Sequence, residues 1–141
     1  MPPLKSRLLF KAEAQLAECP VWDGRIQRLW WVDILGSKLM RFDPASGTNE
    51  IFDVGAHIGA LVPEEGGELV LALKHGFSRY RGGAVTELTS MDGPEDIRFN
   101  DGKCDPQGRF WAGTTNYEQA PGAGNLVCLE GDLSVSRRSK A

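Results

Sequence analysis

Apolar and polar residues alternate along much of the chain in short runs, the pattern of strands that bury one face. Three runs stand out: Leu29-Trp30-Trp31-Val32-Asp33, Leu69-Val70-Leu71-Ala72-Leu73 and Phe110-Trp111-Ala112-Gly113-Thr114, which begin 40 and then 41 residues apart. Each follows a turn signal: Asp23-Gly24, Glu65-Gly66-Gly67 and Asp105-Pro106-Gln107-Gly108. A second alternating run follows each, over residues 38–43, 77–81 and 125–130, and closes on Asp43-Pro44-Ala45-Ser46-Gly47, Gly82-Gly83 or Gly131-Asp132. A short third run comes next, over residues 49–54 and 84–88. No window carries a sustained apolar stripe at helical spacing, so the sequence predicts an all-β chain.

A repeat of this length, one meander per unit, is the size of a propeller blade, and it fits the chain about three times. A propeller needs roughly four to eight blades to close its ring. The expected fold is therefore a partial β-propeller of about three blades, each a four-stranded antiparallel meander, and residues 1–141 form the N-terminal part of one such domain. Open blades leave strand edges and apolar faces that a second chain could cover. Residues 134–141, with Arg137, Arg138 and Lys140, read as a disordered or atypical solvated tail.

Composition narrows the partners. Hydrophobic residues make up 41% and charged residues 25%, the balance of a soluble globular domain rather than a disordered chain. The formal net charge of -3 supplies no broad cationic surface for phosphate backbones or anionic lipid, so neither nucleic acid nor membrane is expected as a partner. No stretch approaches the length of a bilayer span and the first residues lack a signal-peptide core, which makes a cytoplasmic location the expectation. Cys19, Cys104 and Cys128 are widely spaced and read as reduced thiols.

The densest polar cluster is Arg98-Phe99-Asn100-Asp101-Gly102-Lys103. Asn-Asp-Gly suits a turn. On an extended chain, however, Arg98 and Asn100 share a face and could both reach a central cavity, offering a planar donor fork and an amide to a polyhydroxylated or carboxylated ligand. Glu18, set among Ala17, Cys19, Pro20 and Val21, is either a surface carboxylate or an oxygen ligand for a hard cation. Glu118 taken alone is a loop acid. His57 and His75 have no second histidine at ligand spacing and read as structural or exposed. No Gly-x-Ser-x-Gly elbow, phosphate loop or dinucleotide fingerprint occurs.

Three segments together, Glu18-Cys19-Pro20-Val21-Trp22, residues 29–34 and above all residues 98–114, resemble the gluconolactonase, senescence marker protein and regucalcin family of sugar lactone hydrolases, in unbroken order from about Leu16 to Leu133. The resemblance implies a six-bladed propeller with one divalent cation, calcium or zinc and in some members manganese or magnesium, at the mouth of its channel. It implies that Glu18 is a metal ligand and that Arg98, Asn100 and Glu118 contact the lactone. It also implies that the remaining ligands, an asparagine and the aspartate that serves as acid and base, belong to later blades, so that no catalytic residue falls within this chain. The competing readings are a non-catalytic propeller fragment or binding module, and a non-functional remnant. Residues 29–33 are also similar to the Tyr-Trp-Thr-Asp repeats of receptor propellers, though the Cys-rich modules that accompany those are lacking here.

Overall fold

A computed structural model describes residues 1–140. Twelve strands form three antiparallel sheets, each a meander in chain order. The first holds β1 (Ala17–Asp23), β2 (Arg28–Asp33), β3 (Lys38–Asp43) and β4 (Thr48–Asp53). The second holds β5 (Ile58–Pro63), β6 (Leu69–Leu73), β7 (Gly76–Arg81) and β8 (Ala84–Ser90). The third holds β9 (Ile97–Cys104), β10 (Phe110–Asn116), β11 (Asn125–Leu129) and β12 (Val135–Lys140). Among the described residues no helix is long and apolar enough to cross a membrane.

The structure corrects two readings of the sequence. Residues 135–140, expected as an atypical tail, form the fourth strand of the third sheet and pair with β11; Ala141 lies outside the described residues. Asn100-Asp101-Gly102, which suits a turn, lies inside β9 and pairs with β10. Gly102 is there for proximity, since a Cβ on it would stand 2.7 Å from both the Phe110 ring and the Trp111 carbonyl oxygen.

The first strands of the three sheets lie side by side, with β5 between β1 and β9. One apolar core runs through all three sheets, from Val32 and Leu39 through Leu61, Leu71 and Phe77 to Phe110 and Val127. Aromatic side chains join the sheets: Phe77 lies 5.1 Å from Phe99 and 5.4 Å from Phe110, while Phe52 sits between Trp30 and Tyr80 at 6.2 and 5.9 Å. A smaller cluster of Trp31, Met40 and Phe42 covers the far face of the first sheet, where Phe10 packs 5.6 Å from Phe42. Asp33 ties this N-terminal segment down by accepting the N–H groups of Gln15 and Leu16 at 3.0 and 2.9 Å.

The turn before β10 is held by Asp105. Its carboxylate accepts the backbone N–H groups of Gln107 and Arg109 at 3.0 Å, Arg109 Nε at 2.6 Å and Trp111 Nε1 at 2.8 Å. Burial acts to raise its pKa, but the bonds from Trp111 and Arg109 outweigh it and hold the group at about 2. Asp105 is therefore ionised through the neutral range, and the turn that delivers β10 beside β9 stays closed.

Candidate functional site

The three innermost strands carry the same irregularity. Each gains one extra residue over its partner strand: at Cys19-Pro20 in β1, at Gly59 in β5 and at Asn100 in β9. The spacing of these bulges repeats the blade period, and bulges re-aim side chains at the end of a strand. Their neighbours are tightly fitted. Cys19 is buried, takes φ +50°, accepts the Leu61 N–H on its sulfur at 3.4 Å and donates its thiol to the Leu61 carbonyl at 3.8 Å. Burial pushes its pKa up, which keeps the thiol protonated as a donor. Gly59 meets the backbone of Phe99 so closely that a Cβ would fall 2.3 Å from the Phe99 carbonyl carbon.

Arg98 and Asn100 are brought together as the sequence predicts. Arg98 is 3% exposed, and its Nη1 donates to the Phe99 carbonyl at 3.1 Å and to Asn100 Oδ1 at 3.0 Å. Its Nε is buried without a hydrogen-bond partner. A buried cationic donor left unpaired is costly, and the cost is relieved when a ligand oxygen supplies the acceptor. Asn100, in the bulge, is exposed.

Three residues not singled out as a site complete the group. Tyr117, in the loop from β10 to β11, lays its ring 5.7 Å from the Arg98 guanidinium and 5.7 Å from the Lys74 ammonium. Its hydroxyl is 2.7 Å from His57 Nδ1, the two rings meeting edge to face. Burial first, and then the charges of Lys74 and Arg98, lower the His57 pKa, so the imidazole is neutral at pH 7. Glu118 follows Tyr117 and is exposed. Its loop is shaped by Asn116, whose carbonyl accepts the Gln119 N–H at 3.1 Å and whose side chain accepts the Ala120 N–H at 2.7 Å. Nothing in the sequence pairs His57 with Tyr117, because their contact exists only once two blades stack.

Glu18 stands on β1, opposite Val32, exposed, and borders a pocket of about 480 Å³ whose walls include Phe10, Trp31 and Phe42. Among the described residues no group of three or more His, Cys, Asp or Glu side chains could hold a metal ion. Glu18 is thus not part of a cluster that approaches the six or more oxygens that calcium takes.

This arrangement of three four-stranded antiparallel meanders is that of propeller blades. The chain belongs to the SMP-30/gluconolactonase/LRE-like family, whose model matches residues 16–140. It is 37% identical over 120 residues to a 6-deoxy-6-sulfogluconolactonase of Pseudomonas putida, covering 83% of this chain and 41% of that protein. It is 36% identical over 143 residues to a regucalcin of Xenopus laevis, covering 96% of this chain and 48% of that one. The crystal structure of a calcium-binding regucalcin from Agrobacterium tumefaciens superposes with a TM-score of 0.90 at 24% identity, over 96% of this chain and 47% of that one. The three sheets are therefore three blades of a six-bladed propeller fold, and the chain spans less than half the length of these relatives.

Proposed function

We propose that this chain contributes the sugar-contacting side of a lactone-hydrolysing site. The unpaired Arg98 Nε, buried beside Asn100 at the end of the innermost strand, carries the reading. A lactone presents a carbonyl, a ring oxygen and hydroxyls. Arg98 donates to its oxygens, Asn100 both donates and accepts, Glu118 accepts from hydroxyls, and the Tyr117 ring walls the site. Water adds across the acyl carbon–oxygen bond, which breaks to give a carboxylic acid and an alcohol; at neutral pH the acid releases a proton. The sulfogluconolactonase and regucalcin relatives are named for a sugar lactone and for calcium, and both names favour this assignment.

Glu18 is read as one oxygen ligand of a divalent cation, calcium or zinc, with the other ligands coming from outside these 141 residues. Such a cation, when bound, polarises a carbonyl as a Lewis acid. The described residues of this chain do not complete that site on their own. A chain that carries those ligands, seated on the open blade faces, would complete the site.

Proton release from D-glucono-1,5-lactone, followed with a pH-stat, tests the reading. Turnover above the buffer rate is expected when calcium, zinc or manganese is added to this chain together with a chain that carries the remaining ligands. It should vanish in Glu18→Ala and fall roughly a hundredfold in Arg98→Ala, the scale of losing a charge-assisted hydrogen-bond pair. A soluble, folded assembly of the two with no metal-dependent release would contradict the hydrolase reading and leave a sugar-binding module.

A further inference from the structure

We propose that His57 is a positioning residue: by binding the Tyr117 hydroxyl from the neighbouring blade, it clamps the loop that carries Glu118 against Arg98. This rests on the reading that Arg98 and Glu118 face the sugar.

The backbone donors of the loop after β10 bond within the third blade. Tyr117 donates its N–H to the Asp96 carbonyl at 3.1 Å, and Gln119 and Ala120 donate to Asn116. Gln119 takes φ +55°, a left-handed conformation that a residue with a side chain adopts only under constraint. These bonds shape the loop but leave its angle to the blade stack open. The His57–Tyr117 bond at 2.7 Å spans 60 residues of sequence and joins the residue before β5 to the residue after β10. It is the contact that sets the Tyr117 ring over the Arg98 guanidinium.

The chemistry fits a clamp. A neutral imidazole offers one donor and one acceptor, so Nδ1 pairs with a hydroxyl in either tautomer. Lys74, the other cation at the Tyr117 ring, is engaged by Glu95 at 3.1 Å and leaves the hydroxyl to His57. Arg98 gains from the ring as well, since a guanidinium at a phenol face is attracted by its quadrupole. Its Nη1 is already committed to Phe99 and Asn100, so the guanidinium is fixed on one side by β9 and on the other by Tyr117. Without the clamp, Glu118 loses its fixed offset from Arg98, and a ligand that bridges the two must order the loop on binding.

Three variants separate the clamp from general packing. Tyr117→Phe keeps the ring and deletes only the hydroxyl; His57→Ala removes the partner; His57→Asn places an amide where Nδ1 stood. Two quantities are measured on each: hydrogen exchange at the Gln119 and Ala120 amides against the core amide of Leu71, and D-gluconate affinity by calorimetry. Tyr117→Phe and His57→Ala are expected to speed exchange at 119 and 120 and to weaken D-gluconate, each by about three- to tenfold, the scale of one hydrogen bond, with Leu71 unchanged. His57→Asn should restore both. Unchanged loop exchange, or exchange that rises equally at Leu71, would overturn the clamp. If the unaltered chain binds no D-gluconate, the sugar-site reading fails instead, and the exchange arm still decides the clamp.

Discussion

Replacing Phe77 with alanine is expected to lower the free energy of unfolding by about 3–5 kcal/mol, the range for deleting a large buried aromatic. Phe77 is fully buried on β7 and is the side chain through which the second blade packs on the third, with Phe99 at 5.1 Å and Phe110 at 5.4 Å. Its removal leaves a cavity that three strands of two blades would have to close, and each of those strands is tied to its own sheet. Single domains are stable by only about 5–15 kcal/mol, so the loss takes a large share of the whole. Urea unfolding followed by tryptophan fluorescence measures it as a shift in midpoint at constant slope. A loss under about 1 kcal/mol would mean that the blades do not lean on this residue.

The second large effect is expected at a residue with no side chain. A Cβ on Gly59 would lie 2.3 Å from the carbonyl carbon, 2.4 Å from the Cβ and 2.5 Å from the carbonyl oxygen of Phe99. These are backbone or backbone-proximal atoms that cannot rotate away, so β5 and β9 must separate. Overpacking of this kind costs about 1–3 kcal/mol and more where the backbone has to move. The displaced segment is flanked by Arg98 and Asn100, so Gly59→Ala should weaken D-gluconate binding even in the fraction that remains folded. Gly93→Ala is the control, since a Cβ there meets nothing within 4 Å. Equal stability of the two variants would contradict the close approach of the inner strands.

The three outer strands of the blades were largely legible, because their alternation and turn residues follow from one buried face and tight reversals. The innermost strands were not. β5 is buried along nearly its whole length, so Ile58-Gly59-Ala60-Leu61-Val62 shows no alternation to read. β1 is broken by the bulge at Cys19-Pro20, and in β9 the Asn-Asp-Gly sequence that suits a turn serves a bulge and a close contact with β10. The last strand is a short, charged sheet edge, which protects an edge from pairing but looks like a solvated tail.

The site was legible in part. Arg98 and Asn100 are neighbours in sequence and remain so in space, so their spacing alone placed them together. Glu118 could be placed on a loop, but the contact of its neighbour Tyr117 with Arg98 could not, because it goes with a bond from Tyr117 to a histidine 60 residues away. His57 gave no signal of its own. Its role depends on the stacking of the second blade on the third, which no local pattern encodes. Glu18 joins no group of three or more His, Cys, Asp or Glu side chains among the described residues, so its proposed role as a metal ligand rests on the resemblance of its segment and not on a cluster around it.

The bulged ends of the innermost strands are proposed as the sugar-binding face of this chain. A two-dimensional ¹⁵N NMR titration with D-gluconate tests it most directly, because it reports each amide and the Arg98 Nε–H at once. Saturable shifts are expected at Arg98 Nε–H, at the Asn100 side-chain amide and at the amides of residues 117–119, while Thr48 and Val85 on the outer strands stay still. Shifts confined to the outer strands, or no shifts at millimolar gluconate, would contradict it.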